Sequence, residues 1–334
     1  MIRSYPTRTK FYEIAFHFLL WSTQEKVRLS FTSGNYSFTE CVRKDVISSA
    51  FSSSNSACTT ECRNINFITQ TKALSSAASY SFTNCSWNGC LSEPAGAISC
   101  SKSGASLAVI NCKFSNCNST SGITATKDYN GGAICAIGLT SLIVSSSLFY
   151  NCRAPQTNHN DRGSGGIYVL SPKNVFSLSS SDFISCFTGS SGAGIFFYSS
   201  SNPKLAIEII KDCRYIQCRS QDQSPDGGGM CLWESLYTLR CIGCLFSLCT
   251  TTGSGGGMQY LFSANAELYP IKFCFFASNT GYNGNDISFS AFGSEFPCCY
   301  CFSTTRQNRV GYYDGQNWHT MDFPWLPKGI PKFV

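Results

Sequence analysis

Short runs of alternating apolar and polar residues recur through the middle of the chain, and each is followed by the same signal. The signal is an aromatic residue three positions before a cysteine, such as Phe149 before Cys152, and a glycine pair such as Gly131 and Gly132 precedes each run. A period of two is typical of β-strands, and the runs are too short to show the 3.6-residue period of helices. The pattern therefore predicts a chain of short strands.

This signal returns at a nearly constant interval. The residue that closes it is found at Cys90, Cys117, Cys152, Cys186, Cys218, Cys249 and Asn279. The successive steps are 27, 35, 34, 32, 31 and 30 residues. Such a period indicates stacked repeats, and repeats made of strands indicate a β-solenoid. Each strand should pair with the same strand one coil above, so the aromatic residues are expected to form one interior column. They are Trp87, Phe114, Phe149, Phe183, Tyr215, Phe246 and Phe276.

The step length varies mainly in the segment before each glycine pair. Extra residues stand at 154–163 and at 220–226, whereas Gly132 to Phe149 and Gly166 to Phe183 both span 17 positions. Insertions between repeat units lie in surface loops. We therefore expect the insertions to collect on one edge of the stack.

The ordered alternation of GGAI and FxxN tetrapeptides resembles the repeat signature of the chlamydial polymorphic outer membrane proteins. Its cysteine-rich form is similar to that of right-handed parallel β-helix surface proteins of parasitic protists. Residues 131–134 match the first tetrapeptide and residues 276–279 match the second, while the other copies end in Cys. The match covers roughly residues 80 to 290. The resemblance implies an all-β, single-stranded right-handed parallel β-helix with the pectin lyase (pectate-lyase-like) fold, located at a cell surface.

The chain is expected to form one solenoid domain with different ends. Residues 1–29 form an N-terminal segment, residues 30–290 the parallel β-helix with an irregular first part, and residues 291–334 a C-terminal tail without the repeat. Arg3, Arg8 and Lys10 precede the apolar stretch 14–21, which leaves a poor signal peptide and an amphipathic cap as open interpretations. No segment approaches the ~20 apolar residues of a membrane span, so none is expected.

Composition points to an extracellular or cell-surface location. Charged residues make up 13% of the chain, about half of the ~25% that is usual in globular domains. The surface should therefore be polar through Ser, Thr, Asn and Gly. The net charge of +6 is spread without any run of basic residues. No nucleic-acid partner is expected from such a distribution.

Cysteine is the unusual residue, with 21 in the chain. Because Asn279 takes the place of a repeat cysteine, most of these thiols are expected to be buried and reduced. Disulfides are expected only at outlying positions such as Cys58, Cys62 and 298–301. Cys241 and Cys244 have zinc-finger spacing but lack a second pair of the right form. We therefore expect no metal and no other cofactor.

Three N-x-[ST] sequons predict glycosylation if the chain is secreted. They begin at Asn35, Asn84 and Asn118. Asn84 directly precedes Cys85, which is expected in the core. We therefore expect Asn84 to be the least accessible of the three.

No catalytic constellation stands out. The only dense polar group is His159, Asp161 and Arg162 in an insertion, together with acids such as Asp226 before glycine pairs. The expected function is non-catalytic and adhesin-like, with edge loops that contact a host-cell surface or a glycan. The alternative is a carbohydrate-active β-helix enzyme, a polysaccharide lyase or hydrolase that uses the same edge.

Overall fold

Parallel strands stacked in register make up the structure, a computed structural model. It describes residues 28–32, 35–39, 59–63, 66–68, 72–74, 79–92, 94–101, 103–120, 129–155, 162–199, 207–221, 226–234, 240–262, 271–291, 300–303, 310–313 and 318–321. Helices are absent from these residues. The predicted all-β parallel solenoid is confirmed, and each coil contributes to four ladders, called a to d in chain order.

Ladders a and b form one continuous sheet of 18 strands. Ladder a contains Asn35–Thr39, Thr59–Arg63, Ser79–Thr83, Ser106–Ile110, Ser141–Ser145, Val175–Ser179, Ile207–Lys211 and Arg240–Ile242. Ladder b contains Asn66–Ile68, Ser86–Asn88, Lys113–Ser115, Leu148–Tyr150, Asp182–Ile184, Arg214–Ile216 and Leu245–Ser247. Lys272–Ala277 continues both ladders, and Tyr300–Ser303 pairs with it across both. At the N-terminal end, Arg28–Thr32 pairs antiparallel with Asn35–Thr39.

Ladders c and d complete the coil. Ladder c contains Leu91–Ser92, Asn118–Ser119, Arg153–Ala154, Phe187–Thr188, Arg219–Ser220 and Thr250–Thr251. Ladder d contains Lys72–Leu74, Ile98–Cys100, Ile134–Ile137, Ile167–Leu170, Ile195–Ser199, Met230–Glu234, Met258–Phe262, Ile287–Ala291 and Val310–Tyr313. Tyr129–Gly131 pairs with Arg162–Ser164 beside ladder d, and Trp318–Met321 pairs antiparallel with Val310–Tyr313. Parallel stacking thus continues beyond residue 290.

The aromatic column predicted from the repeat is confirmed. Consecutive rings from Trp87 to Phe276 have centroids 4.6 to 4.9 Å apart and planes within 6° of parallel. All seven side chains are fully buried. Each stacked pair adds about 0.5 to 1.5 kcal/mol beyond the burial of apolar area. The column therefore ties each coil to the next.

Two bends with left-handed backbone flank ladder b. The a–b bend contains Asn84, Asn111, Ser146, Ser180, Asp212, Gly243 and Phe273, and the b–c bend contains Gly89, Asn116, Asn151, Ser185, Gln217, Leu248 and Ser278. A left-handed residue interrupts the strict alternation of strand faces. Because of it, an aromatic residue and the cysteine three positions later both point into the core. The sequence required a turn between them, and the b–c bend confirms it.

The glycine pairs form a different kind of turn between ladders c and d, called here the glycine corner. A Cβ atom placed on Gly132 would lie 2.0 Å from the backbone oxygen of Gly165 and 2.7 Å from the nitrogen of Arg153. A side chain is therefore excluded at Gly132, because neighbouring backbones approach too closely.

Insertions occur on two edges of the stack, so the prediction of a single edge is wrong. Ile134 pairs with Ile167, which aligns Gly132 with Gly165 and not with Gly166. The equal spacing of 17 residues therefore compared glycines that are not equivalent. The connection from ladder d to ladder a also varies: it runs from Ile137 to Ser141 in one coil and from Ser199 to Ile207 in another.

Candidate functional site

The insertion predicted as a contact loop is only partly visible. His159 and Asp161 lie outside the described residues. Arg162 begins the strand Arg162–Ser164, although its side chain is not among those described. That strand pairs with Tyr129–Gly131, which places the end of this insertion beside the preceding coil. Any contact role of the loop stays a prediction.

The glycosylation sequons occupy different settings. Asn35 begins a ladder a strand, and its side chain is outside the described set. Asn84 lies on the a–b bend with its side chain exposed, although Cys85 beside it is buried. Asn118 is half-buried, and its side-chain oxygen is buried without a hydrogen-bond partner. Asn84 is therefore more accessible than Asn118, contrary to expectation, because the left-handed bend turns adjacent side chains to opposite sides.

The acidic side chains that the structure describes are engaged separately. Asp182 in ladder b accepts a hydrogen bond from Arg214 Nε at 2.6 Å, and Asp212 lies 3.7 Å from Lys211 Nζ. Asp286 is buried and accepts a hydrogen bond from Asn279 Nδ2 at 3.0 Å. These acids therefore stabilise strand and corner geometry.

Asp226 at the glycine corner has the unusual carboxylate. Burial raises its pKa from 3.8 to about 7, although backbone and Gln259 hydrogen bonds act in the opposite direction. With the amide nitrogen of Gln259 facing it, that nitrogen donates to Asp226 Oδ2 at 3.0 Å. The Asp226 backbone nitrogen donates to Ser191 Oγ at 3.0 Å. Asp226 is thus a half-buried acid that changes its protonation near neutral pH.

Every cysteine whose side chain is described is buried and none forms a disulfide, as predicted. From Cys117 to Cys249 the repeat cysteines form a thiol ladder in which each S–H faces the carbonyl of the aromatic residue one coil earlier, such as Cys218 to Phe183 at 3.3 Å. Asn279 continues this ladder, and its Nδ2 donates to the Phe246 carbonyl at 3.0 Å. Cys58, Cys298 and Cys299 lie outside the described residues, as do the side chains of Cys62 and Cys301.

One group of thiols departs from this linear stacking. The Sγ atoms of Cys241, Cys244 and Cys274 all lie within 4.8 Å of one another, and all three residues are buried. The Sγ atoms of Cys241 and Cys274 are 3.8 Å apart. The three residues are called the thiol triangle below.

The register of the coils explains how the thiol triangle forms. Leu245 pairs with Phe275, so Cys274 stacks directly on Cys244. Cys241 belongs to the ladder a strand Arg240–Ile242 and reaches the same point across the left-handed bend at Gly243. The sequence had shown Cys241 and Cys244 as a pair without partners. Cys274, 33 residues after Cys241, supplies the third thiol.

Contacts among these thiols and their burial hold Cys241 and Cys244 in the protonated form. The pKa of Cys244 lies well above its ordinary value because hydrogen bonds with the Cys213, Cys241 and Cys274 thiols raise it, as does burial. A hydrogen bond with Cys244 lowers the pKa of Cys241, but contact with Cys274 and burial raise it by more. The net effect is a pKa well above the ordinary value. A metal ion that bound the three sulfurs would have to displace these protons.

The outer face carries a second ordered group, the amide row. It consists of Asn88, Asn116 and Asn151 at the b–c side of ladder b, where Asn116 Nδ2 donates to Asn88 Oδ1 at 3.3 Å and Asn151 Nδ2 donates to Asn116 Oδ1 at 2.7 Å. A separate pair lies on the a–b bend, where Asn111 Nδ2 donates to Asn84 Oδ1 at 2.7 Å. Tyr150 lies next to Asn151, and its side chain is 46% exposed. This face therefore combines oriented amides with an accessible aromatic ring.

Comparison of the chain with protein-family models, with characterised proteins and with solved structures finds no match. In the part of the chain that the structure describes, no helix is long and apolar enough to cross a membrane. The functional argument therefore depends on the site geometry itself.

Proposed function

We propose that this chain is a non-catalytic, adhesin-like β-helix, secreted or displayed at a cell surface, that binds a glycan or another component of a host-cell surface. The observation that supports this is the exposed Tyr150 ring beside the amide row. The resemblance of the repeat to surface β-helix proteins supports the same location. The low charge of the chain agrees with an outer surface built from amides and hydroxyls.

The chemistry of this face suits a sugar. A pyranose has an apolar face of C–H groups, which packs on an aromatic ring, and a rim of hydroxyls, which pair with amide donors and acceptors. Arg153 Nε donates to Asn151 Oδ1 at 3.1 Å, and this contact orients the amide nearest to Tyr150. Amides fixed in a row lose little freedom when a ligand binds, so their hydrogen bonds contribute more to affinity.

Glycan-array and host-cell binding assays test this proposal. Tyr150→Ala is expected to abolish most of the binding, because the ring supplies the apolar contact. The matched control is Tyr282→Ala, which removes another exposed aromatic side chain from a different part of the surface. Equal binding by wild type and Tyr150→Ala, or equal loss in both variants, would contradict a site at this face. Replacing residues 156–161 by a Gly-Ser linker measures the contribution of the predicted contact loop.

A carbohydrate-active enzyme is the second candidate, and Asp226 is the observation that favours it. A carboxyl with a pKa of about 7 can act as a general acid or base near neutral pH. A polyuronide cleavage assay with added Ca²⁺, run beside the binding assays, separates the two functions. We expect no cleavage. Cleavage that is lost in Asp226→Asn or Asp161→Ala would replace the adhesin-like proposal by the enzymatic one.

A further inference from the structure

The thiol triangle exists because one position of ladder a departs from its column. The inward position is Val109, Val144, Leu178 and Ile210 in consecutive coils, and the register places Cys241 next. An aliphatic side chain there would pack equally well against the aromatic column. Replacing it by Cys adds a thiol beside Cys244 and Cys274. Among the described residues, no other group of three thiols lies so close together.

The spacing of the sulfurs suits a shared metal ion. Three sulfurs, each about 2.3 Å from a central ion, lie roughly 3.8 to 4.0 Å from one another. The Cys241 and Cys274 sulfurs are 3.8 Å apart, and the third is within 4.8 Å of both. A disulfide would instead require the two sulfurs to approach to about 2.05 Å. Small side-chain rotations would therefore bring all three sulfurs onto one ion.

The number of ligands restricts the kind of ion. Structural zinc sites are almost always four-coordinate. Two further cysteines flank the triangle in the register: Cys213 is aligned with Cys244, and Cys301 is paired with Cys274. Cys213 is therefore two coils from Cys274, and Cys301 is two coils from Cys244, so neither can join all three around one centre. Soft thiolate ligands with no oxygen or nitrogen donor favour Cu(I) among the common metals.

We propose that Cys241, Cys244 and Cys274 form a three-coordinate thiolate site for one Cu(I) ion. Each thiol that becomes a ligand forms one S–Cu bond and releases one proton to solvent. No electron is transferred, because the ion enters as Cu(I). Because each ligating thiol must give up its proton, loading weakens as the pH falls. The ion would link the coil of Cys241 and Cys244 to the coil of Cys274 and so stabilise the C-terminal part of the stack.

The test uses the full chain, refolded without oxygen in the presence of Cu(I) buffered by a chromophoric chelator. Wild type is expected to retain one Cu(I) per chain and to show sulfur-to-copper charge-transfer absorption in the near ultraviolet. Cys241→Val, which restores the residue of neighbouring coils, should lose this binding. Cys244→Ser should lose the ion as well. It should still fold, because Ser147 and Ser181 occupy the same column position in other coils. Cys112→Ser is the matched control, since it removes a thiol of that column outside the triangle and should keep the ion.

Several outcomes would overturn the proposal. These are a wild type that retains no Cu(I), a Cys241→Val chain that retains it, and a site that keeps Zn(II) against excess Cu(I). A fourth is a wild type with no metal and two fewer thiols than the reduced chain, which would identify a disulfide. If the variants fail to fold, X-ray absorption on loaded wild type decides, because three sulfur neighbours are expected and two or four would contradict the site. None of these results depends on glycan binding.

Discussion

The glycine corner and the two left-handed bends all change the direction of the chain within each coil, yet they accept different residues. At the corner, backbone atoms of the next coil fill the space that a Cβ would need, as at Gly132. At the bends the backbone is strained for most residues, but the side chain points outward, so Asn, Ser, Gln and even Leu248 occur there. The comparison shows two reasons for glycine, lack of space and unfavourable dihedral angles, and Gly192, Gly227 and Gly255 at the corner are subject to both.

The largest loss of stability is expected when a side chain is added at a corner position that has no room for it. Gly132→Ala places a Cβ 2.0 Å from the Gly165 oxygen and forces two coils apart, so we expect a loss of at least ~4 kcal/mol or failure to fold. Gly138→Ala is the matched control, because its φ is +64° but no atom lies within 4 Å of the new Cβ. It should cost only about 1 kcal/mol. Urea unfolding of both variants measures the difference, and equal losses would contradict the role of close backbone contact at Gly132.

The sequence predicted the two kinds of turn unequally. The glycine corner was evident because Gly131 and Gly132 recur in similar order in most coils, although Ser164 and Ala193 replace these glycines in other coils. The b–c bend was inferred from geometry alone, since an aromatic residue and a cysteine three positions later cannot both face inward on a straight strand. Its occupants could not be identified, because a side chain that points to solvent leaves no hydrophobic pattern. Leu248 and Phe273, which rarely adopt left-handed backbone, had no signal at all.

A second effect concerns the polar residue that enters the glycine corner. The pKa of Asp226 is about 7 in the folded chain, against an ordinary 3.8, because burial disfavours its charged form. Between about pH 4 and pH 7 the folded state holds a proton that the unfolded state has released, so stability falls as the pH rises through this window. The expected loss is up to about 4 kcal/mol, and it levels off above about pH 7.

Asp226→Asn removes this titration and retains a polar side chain next to Gln259. We therefore expect the variant to be more stable than wild type at pH 8 and to match it near pH 4. Urea unfolding at several pH values measures both chains, and the difference between them isolates Asp226 from the other carboxylates. A constant difference across the range would mean that the Asp226 carboxyl ionises in the folded chain as it does in the unfolded one.

The candidate sites were less predictable than the fold because they depend on register. Cys241 and Cys244 were visible as a pair, but pairing them with Cys274 requires the length of the intervening coil, which contains an insertion between ladders d and a. The amide row was missed for a related reason. Asn116 and Asn151 are 35 residues apart, and only the left-handed bends bring their amides into contact. An interior column repeats one chemical type at a fixed interval, so it is visible in the sequence. The thiol triangle and the amide row depend instead on which residues the register brings together.

The smallest change in stability is expected for a substitution on a left-handed bend. Phe273 lies on the a–b bend with φ of 56° and is 64% exposed, where earlier coils have Asn, Ser, Asp or Gly. Asn tolerates left-handed backbone because its short side chain hydrogen-bonds locally, whereas Phe does not. Phe273→Asn should therefore stabilise the chain by about 0.5 to 1 kcal/mol, measured by urea unfolding. Little apolar burial is lost, since most of the ring is already in water.

Phe275→Asn is the control for that change. Phe275 is 40% exposed and is two residues away, but it lies outside the residues with left-handed backbone. Asn is disfavoured in strands, so this variant should lose about 0.5 to 1 kcal/mol. Opposite signs for the two substitutions would establish that backbone conformation, and not removal of an exposed ring, decides the outcome. If Phe273→Asn is destabilising as well, the Phe273 ring contributes contacts that outweigh its backbone strain, and the contrast between bend and corner would not extend to this coil.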